Sequence, residues 1–315
     1  TDSATKWVAT SILNFYSDVE TTGNVITGAH MGIYYYEGRG LIEDNDLTIE
    51  KIGVYAYGIN AADPPQAVPS PIDSPVSKKA TAAVSSAAPV NAVEIAHNTL
   101  TFEGTDHSST YAIEADAGYG ANDLAVDMHH NTIQNFEYGL VFFQCTEDCG
   151  MGVFESISAV SNDLTDNVVG IYFGGAIPAD VVPVIHHNRI FGDVATDTGL
   201  VSDLAVEINA ENNWWGCNAG PADEACLDIT GLVDADPWLV LTFTADQTKL
   251  IPGGVIHLTA NLSRNSAGAD TSALGSVMDG VLVTFDTTYG TLDPLSASLV
   301  NASAATTLSV PAPVT

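Results

Sequence analysis

The chain has 315 residues, 46% of them hydrophobic, which is ample material for packed cores. Only 8 Lys and Arg stand against 39 Asp and Glu, giving a formal charge of -31 and a pI of about 4.1. A surface this acidic repels phosphate, which excludes nucleic acid and anionic lipid as partners. No apolar run reaches the roughly 18 to 20 residues of a transmembrane segment, and no basic, apolar export signal opens the chain at Thr1, so an export signal is expected to lie outside this sequence.

From the N-terminus to residue 239 the chain repeats. Asn24, Asn45, Asn98, Asn131, Asn162, Asn188 and Asn213 are each followed two residues later by a large apolar residue: Ile26, Leu47, Leu100, Ile133, Leu164, Ile190 and Trp215. Eight residues after four of these asparagines stands a glycine, Gly32, Gly53, Gly139 or Gly170, opening the short runs GIYYY, GVYAY, GLVFF and GIYFG; AIEA and AVEI are the same strand after insertions. The tightest asparagine separations are 21, 25 and 26 residues. That period, filled with β-branched and aromatic strands, is one coil of a solenoid in which each coil stacks on the next.

Alternation assigns the faces. The first strand position (Ile33, Val54, Ile113, Leu140, Ile171, Val206) and the third (Tyr35, Ala56, Ala115, Phe142, Phe173, Ile208) point inward. The second (Tyr34, Tyr55, Glu114, Val141, Tyr172, Glu207) points outward. The asparagines are expected to form a ladder at one bend, each amide bonded to its neighbours above and below, with the glycines marking the next bend.

The motif N-x-[IL]-x5-G-[ILV]-x-[FYA] makes this region, roughly three quarters of the chain, resemble right-handed parallel β-helix proteins of the pectate-lyase-like and nitrous-oxide-accessory repeat types. The resemblance implies a fold and no single function, because that scaffold carries lyases, hydrolases, adhesins and inert stalks.

A Pro-, Ala- and Ser-rich stretch at 61–91 is expected to leave one bend as an extruded loop. The cysteines fall as two local pairs, Cys145–Cys149 and Cys217–Cys226, read as disulfides of an exported chain; a zinc tetrad is the rival, which spacers of three and eight residues fit poorly. At 211–239 the segment opening ENNWWGCNAGP reads as an end cap. Trp215 plugs the core, the second cysteine pair staples a covering loop, and Trp214 alternates outward, to pack on the linker or to contact a ligand.

From 240 to 315 longer alternating strands with Pro-Gly-Gly and Tyr-Gly turns predict an antiparallel sandwich that resembles bacterial Ig-like repeats of the invasin and intimin type. About 75 residues are fewer than the roughly 100 of a full sandwich. Either the sequence is a piece of a longer chain, the preferred reading, or a neighbour supplies a strand. Asn261 and Asn301 head glycosylation sequons.

The fold class expected is therefore all-β, a right-handed parallel β-helix followed by an Ig-like sandwich. Function divides into two classes. The first is a non-catalytic extracellular cell-surface component, a stalk, filament, surface layer or adhesin, whose partners are copies of itself, other surface proteins or glycans. The second is a secreted protein that binds or cleaves polysaccharide.

Tyr34, Tyr55, Tyr172 and Trp214 are the candidate carbohydrate or subunit contacts. No catalytic residue is assigned, since the repeat region offers few bases beyond Lys6, Arg39, Lys51 and Arg189, and Arg189 reads as a structural arginine. No cofactor is expected except calcium on acidic loops such as Asp223, Glu224 and Asp228, which carry no loop motif. The histidines before the ladder, His97, His130 and His187 with His129 and His186, read as solvated corner residues rather than metal ligands.

Overall fold

The computed structural model describes residues 10–15, 17–36, 38–59, 91–119, 123–145, 152–249 and 251–311. The expected extruded loop at 61–91 lies, except for Asn91, outside the described residues, as does Cys149. Among the described residues every regular element is a strand, so the protein is all-β.

Residues up to about 238 form three stacks of parallel strands. One complete coil runs through Leu124–His129, Thr132–Gln134 and Tyr138–Gln144, and the next through Phe154–Val160, Asp163–Thr165 and Val169–Gly175. Each strand pairs in register with its counterpart one coil above and below. In the earliest coils the second and third strands fuse, as Val25–Tyr36 and Asp46–Ile59, and register shifts between Thr27 and Met31 mark the bend. The result is a solenoid-like stack.

The asparagine ladder is continuous. Each Nδ2 donates to the Oδ1 of the next asparagine at 2.8 to 3.0 Å, from Asn24 through Asn45, Asn98, Asn131, Asn162 and Asn188 to Asn213. The same Oδ1 accepts the backbone N–H of the preceding asparagine. From Asn45 onward Nδ2 also donates to a carbonyl of the coil before, such as Ile95 for Asn131. A buried amide costs free energy unless its hydrogen bonds are made. Here repetition makes them: six of the seven asparagines are at most 2% exposed.

The residue before each asparagine is left-handed: Gly23, Asp44, His97, His130, Ser161, His187 and Asn212 have φ between 54° and 66°. Glycine, asparagine, aspartate and histidine are the residues that tolerate this region best.

Two expectations need correction. The glycines Gly32, Gly53, Gly139 and Gly170 do not turn a bend, since none has positive φ; they permit close stacking. A Cβ on Gly139 would lie 2.6 Å from the carbonyl oxygen of Gly170, and one on Gly170 at 2.6 Å from that of Gly199. In the sixth coil the strand in register is Thr198–Ser202, pairing Leu200 with Ile171, so Val206, Glu207 and Ile208 do not occupy the inner and outer columns assigned to them. The tripeptide Ala205–Val206–Glu207 copies the local pattern, but the strand of this coil had already begun at Thr198, after a turn three residues longer than that of the coil before.

The inner columns pack as alternation requires. Ile33, Val54, Ile113, Leu140 and Ile171 are at most 1% exposed, as are Tyr35, Ala56, Ala115, Phe142 and Phe173. Each fully buried aliphatic or aromatic side chain contributes roughly 1.5–3 kcal/mol. Trp215 follows Ile190 in the column after the asparagines, fully buried, and its ring lies against Gly199. The Cys217–Cys226 disulfide closes the loop beyond it, which is held further by Trp238 Nε1 donating to the Asn218 carbonyl at 2.9 Å.

The remaining chain is antiparallel. Leu239–Ala245, Val255–Asn265, Ser303–Ser309 and Thr291–Asp293 form one four-stranded sheet, and Leu282–Thr284 pairs with Ser296–Ser298 in a second. A separate core gathers Leu239, Leu262, Val277, Leu299 and Ala304.

Candidate functional site

The third stack turns an aromatic surface outward. Register places Leu13, Tyr34, Tyr55, Glu114, Val141, Tyr172 and Val201 in one row, and Phe15, Tyr36, Tyr57, Asp116 and Phe143 in the next. Tyr34 stacks on Tyr55 with centroids 5.1 Å apart, and Tyr57 lies 5.2 Å from Tyr55. Parallel in-register strands force this, because like residues on successive coils stand about 4.8 Å apart. The stacked rings give faces to one another, so the surface offers hydroxyls and ring edges more than open faces.

Beside the tyrosines stand two carboxylates. Glu114 and Asp116, two residues apart on Tyr111–Tyr119, share the outward face at a Cα spacing of about 6.6 Å. Asp116 is 4% exposed; its Oδ2 accepts the Tyr55 hydroxyl at 2.9 Å and its Oδ1 has no hydrogen-bond partner. Burial pushes the carboxyls of Glu114 and Asp116 each up to about 7. Burial also raises the hydroxyls of Tyr34 and Tyr55, with nearby carboxylates adding to it. Of the two, Glu114 keeps part of its surface beside the tyrosines, whereas Asp116 is buried against Tyr55.

The other sequence-derived candidates are dispersed. Tyr172 lies in the same row two coils beyond Glu114, its hydroxyl donating to Asp203 Oδ2 at 2.8 Å, and burial with that carboxylate pushes it up to about 12. Of the two alternatives for Trp214, packing on the segment that follows holds, since at 9% exposed it belongs to the core with Leu239, and the ligand contact is corrected. Arg189 binds Asp163 Oδ1 at 2.5 Å and covers the Phe191 ring, a structural position.

Asp223, Glu224 and Asp228 are exposed and do not gather into a three-ligand cluster among the described residues. The Oδ1 of Asn261 accepts the N–H and hydroxyl of Ser263, within its own sequon. Asn301 is exposed in a tight turn.

Tyr36, Tyr57 and Asp116 escaped the sequence reading because only the first outward position of each strand was followed. Extending the alternation two residues finds all three. A comparison with family models, curated proteins and solved structures finds no match to this chain.

Proposed function

We propose that the protein is a non-catalytic extracellular structural or adhesive component. In this reading the parallel stack is a right-handed β-helix, the antiparallel unit is an Ig-like sandwich, and the outer tyrosine face is the contact surface toward glycans or further copies of the chain. The observation that carries it is the pair of rows Tyr34–Tyr55 and Tyr36–Tyr57. Four aromatic side chains, each only partly buried, stand together on the outer side of a stack whose apolar demand is already met inside. The Cys217–Cys226 disulfide supports an oxidising compartment, and the -31 charge supports a surface that stays dispersed at high concentration.

The test is retention on immobilised acidic and neutral polysaccharides, together with electron microscopy of native material for ordered polymers. Binding or polymerisation lost in Tyr34→Ala/Tyr36→Ala, which keeps the Tyr55–Asp116 bond, in a protein that stays folded by circular dichroism is the expected result. A protein that neither binds nor assembles ends the proposal.

A second reading, polysaccharide cleavage, is favoured by one feature, the Glu114 and Asp116 pair. Glycosidases use two carboxyl groups of unequal protonation flanking the scissile bond. Here both acids are displaced alike and no basic side chain joins them in the outer rows. Incubation with the same polysaccharides should release no reducing or unsaturated ends. Turnover that disappears in Asp116→Asn would establish the enzyme instead.

A further inference from the structure

The corner that carries the ladder brings together three histidines that the face chemistry does not use. One ligand nitrogen from each of His97, His129 and His130 lies within 4.8 Å of the others. His129 Nδ1 is 3.0 Å from His130 Nδ1, and the His97 ring lies 5.0 Å from that of His130. On the far side of His129, Nε2 is 3.0 Å from Glu94 Oε1.

The left-handed corner explains His97 and His130, since histidine tolerates that backbone, but it does not explain His129 or Glu94. Both lie in the strands that precede the corner, Leu124–His129 and Asn91–Ala96, where no special φ is needed. Glu94 acts on the tautomer. An ionised carboxylate accepts only, so Nε2 carries the hydrogen and donates it. The lone pair of His129 is then on Nδ1, where it accepts the Nδ1–H of His130; a metal between the two takes the place of that hydrogen, and His130 carries its proton on Nε2 instead. A carboxylate fixing one nitrogen of a histidine while the other faces a cluster of imidazoles is the arrangement by which proteins orient metal ligands.

We propose that His97, His129 and His130 bind a divalent transition-metal ion of nitrogen preference, zinc foremost, with Glu94 as a positioning residue. Two nitrogens on one tetrahedral zinc stand about 3.3 Å apart, from a Zn–N length of about 2.0–2.1 Å. The His129–His130 pair thus needs only a few tenths of an ångström of adjustment. His97 is exposed, so its ring turns without disturbing the core. Imidazole donors select zinc, copper and nickel over calcium and magnesium, which take oxygen.

The experiment is equilibrium dialysis of the chain against zinc at pH 7.5, with calcium and magnesium as comparison ions and cobalt as a spectroscopic probe. The expected result is one zinc per chain, no retained calcium or magnesium at this site, and a cobalt absorption band. All are lost in His129→Ala and in the pair His97→Asn/His130→Asn, chosen because asparagine keeps the left-handed corner. His257→Ala, in the antiparallel unit, leaves stoichiometry unchanged.

Glu94→Gln weakens zinc about 10–100-fold while preserving stoichiometry. Zinc binding that persists in the histidine variants, or no binding by the wild-type chain, overturns the proposal. Should a variant fail to fold, zinc-edge X-ray absorption on the wild-type chain decides: three imidazole nitrogens on the metal support the site and fewer than three overturn it.

Discussion

Two neighbouring tryptophans divide the molecule. Trp215 belongs to the core of the parallel stack and Trp214 to that of the antiparallel unit, because consecutive residues of an extended chain face opposite ways. The stack satisfies itself by repetition: every inner column and the asparagine ladder find their partners one coil away. The antiparallel unit does not. Among the described residues its own buried core is small, gathering Leu239, Leu262, Val277, Leu299, Ala302 and Ala304. Its core borrows Trp214 from the stack, and Leu239 N and Asn265 Nδ2 are bonded to Asn213 O at 2.9 Å and Asn212 Oδ1 at 3.0 Å. A repeated fold terminates anywhere it is capped, whereas a small sandwich leans on what precedes it.

The largest effect expected is on the ladder. Asn131→Ala removes the acceptor of two bonds from Asn98 and the donor of bonds to Asn162 and the Ile95 carbonyl, and strands the remaining groups where no water reaches. Each unsatisfied buried group costs about 1–3 kcal/mol, so the loss is about 4 kcal/mol by urea unfolding. Asn265→Ala, which breaks single bonds at the edge of the second unit, should cost about 1 kcal/mol. Equal losses would mean that repetition adds nothing to the ladder.

Next comes the shared tryptophan. Trp214→Ala empties part of the smaller core at a cost of about 3 kcal/mol, and the antiparallel unit should then melt well before the stack, setting two calorimetric transitions further apart. A single transition at lower temperature would show instead that the stack depends on its neighbour as much as the reverse.

How much of this was readable beforehand follows from the same contrast. The asparagine register, the inner columns of the first five coils and the plug at Trp215 follow the repeat, so the pattern locates them; in the sixth coil a longer turn hid the strand. Trp214 was legible only as outward-facing, because which core takes an outward tryptophan depends on a unit folded from residues 239 onward. Gly139 and Gly170 were visible as a pattern, but their reason, a carbonyl one coil away, is a distance and not a spacing. Asp116 was hidden among 39 acids. Alternation two residues past Glu114 marks it as outward, but only the structure shows one of its oxygens bonded to Tyr55 and the other left without a partner.

The smallest effect is in pH and has opposite signs at two places. Asp116 and Glu114 have carboxyls raised by burial to about 7, so between about pH 4 and 7 the native state holds protons that the unfolded chain has released. Their contribution is complete below that window and is lost as pH rises through it. His187 runs the other way. Burial, and secondarily His186, lowers it from 6.5 to about 4, and both its ring nitrogens are buried without partners, with Gly275 of the second unit close by. Its contribution is complete above about pH 6.5 and is lost as pH falls toward 4.

The two trends oppose each other in the wild-type chain, and single variants separate them. Asp116→Asn should leave a protein whose stability falls more steeply on acidification, and His187→Gln one whose stability rises on acidification, by about 1–2 kcal/mol each across the window. Because His187 lies where the two regions meet and Asp116 does not, the His187→Gln change should move the melting of the antiparallel unit, and the Asp116→Asn change that of the stack. If both variants shift the same transition equally, the two regions unfold as one cooperative body.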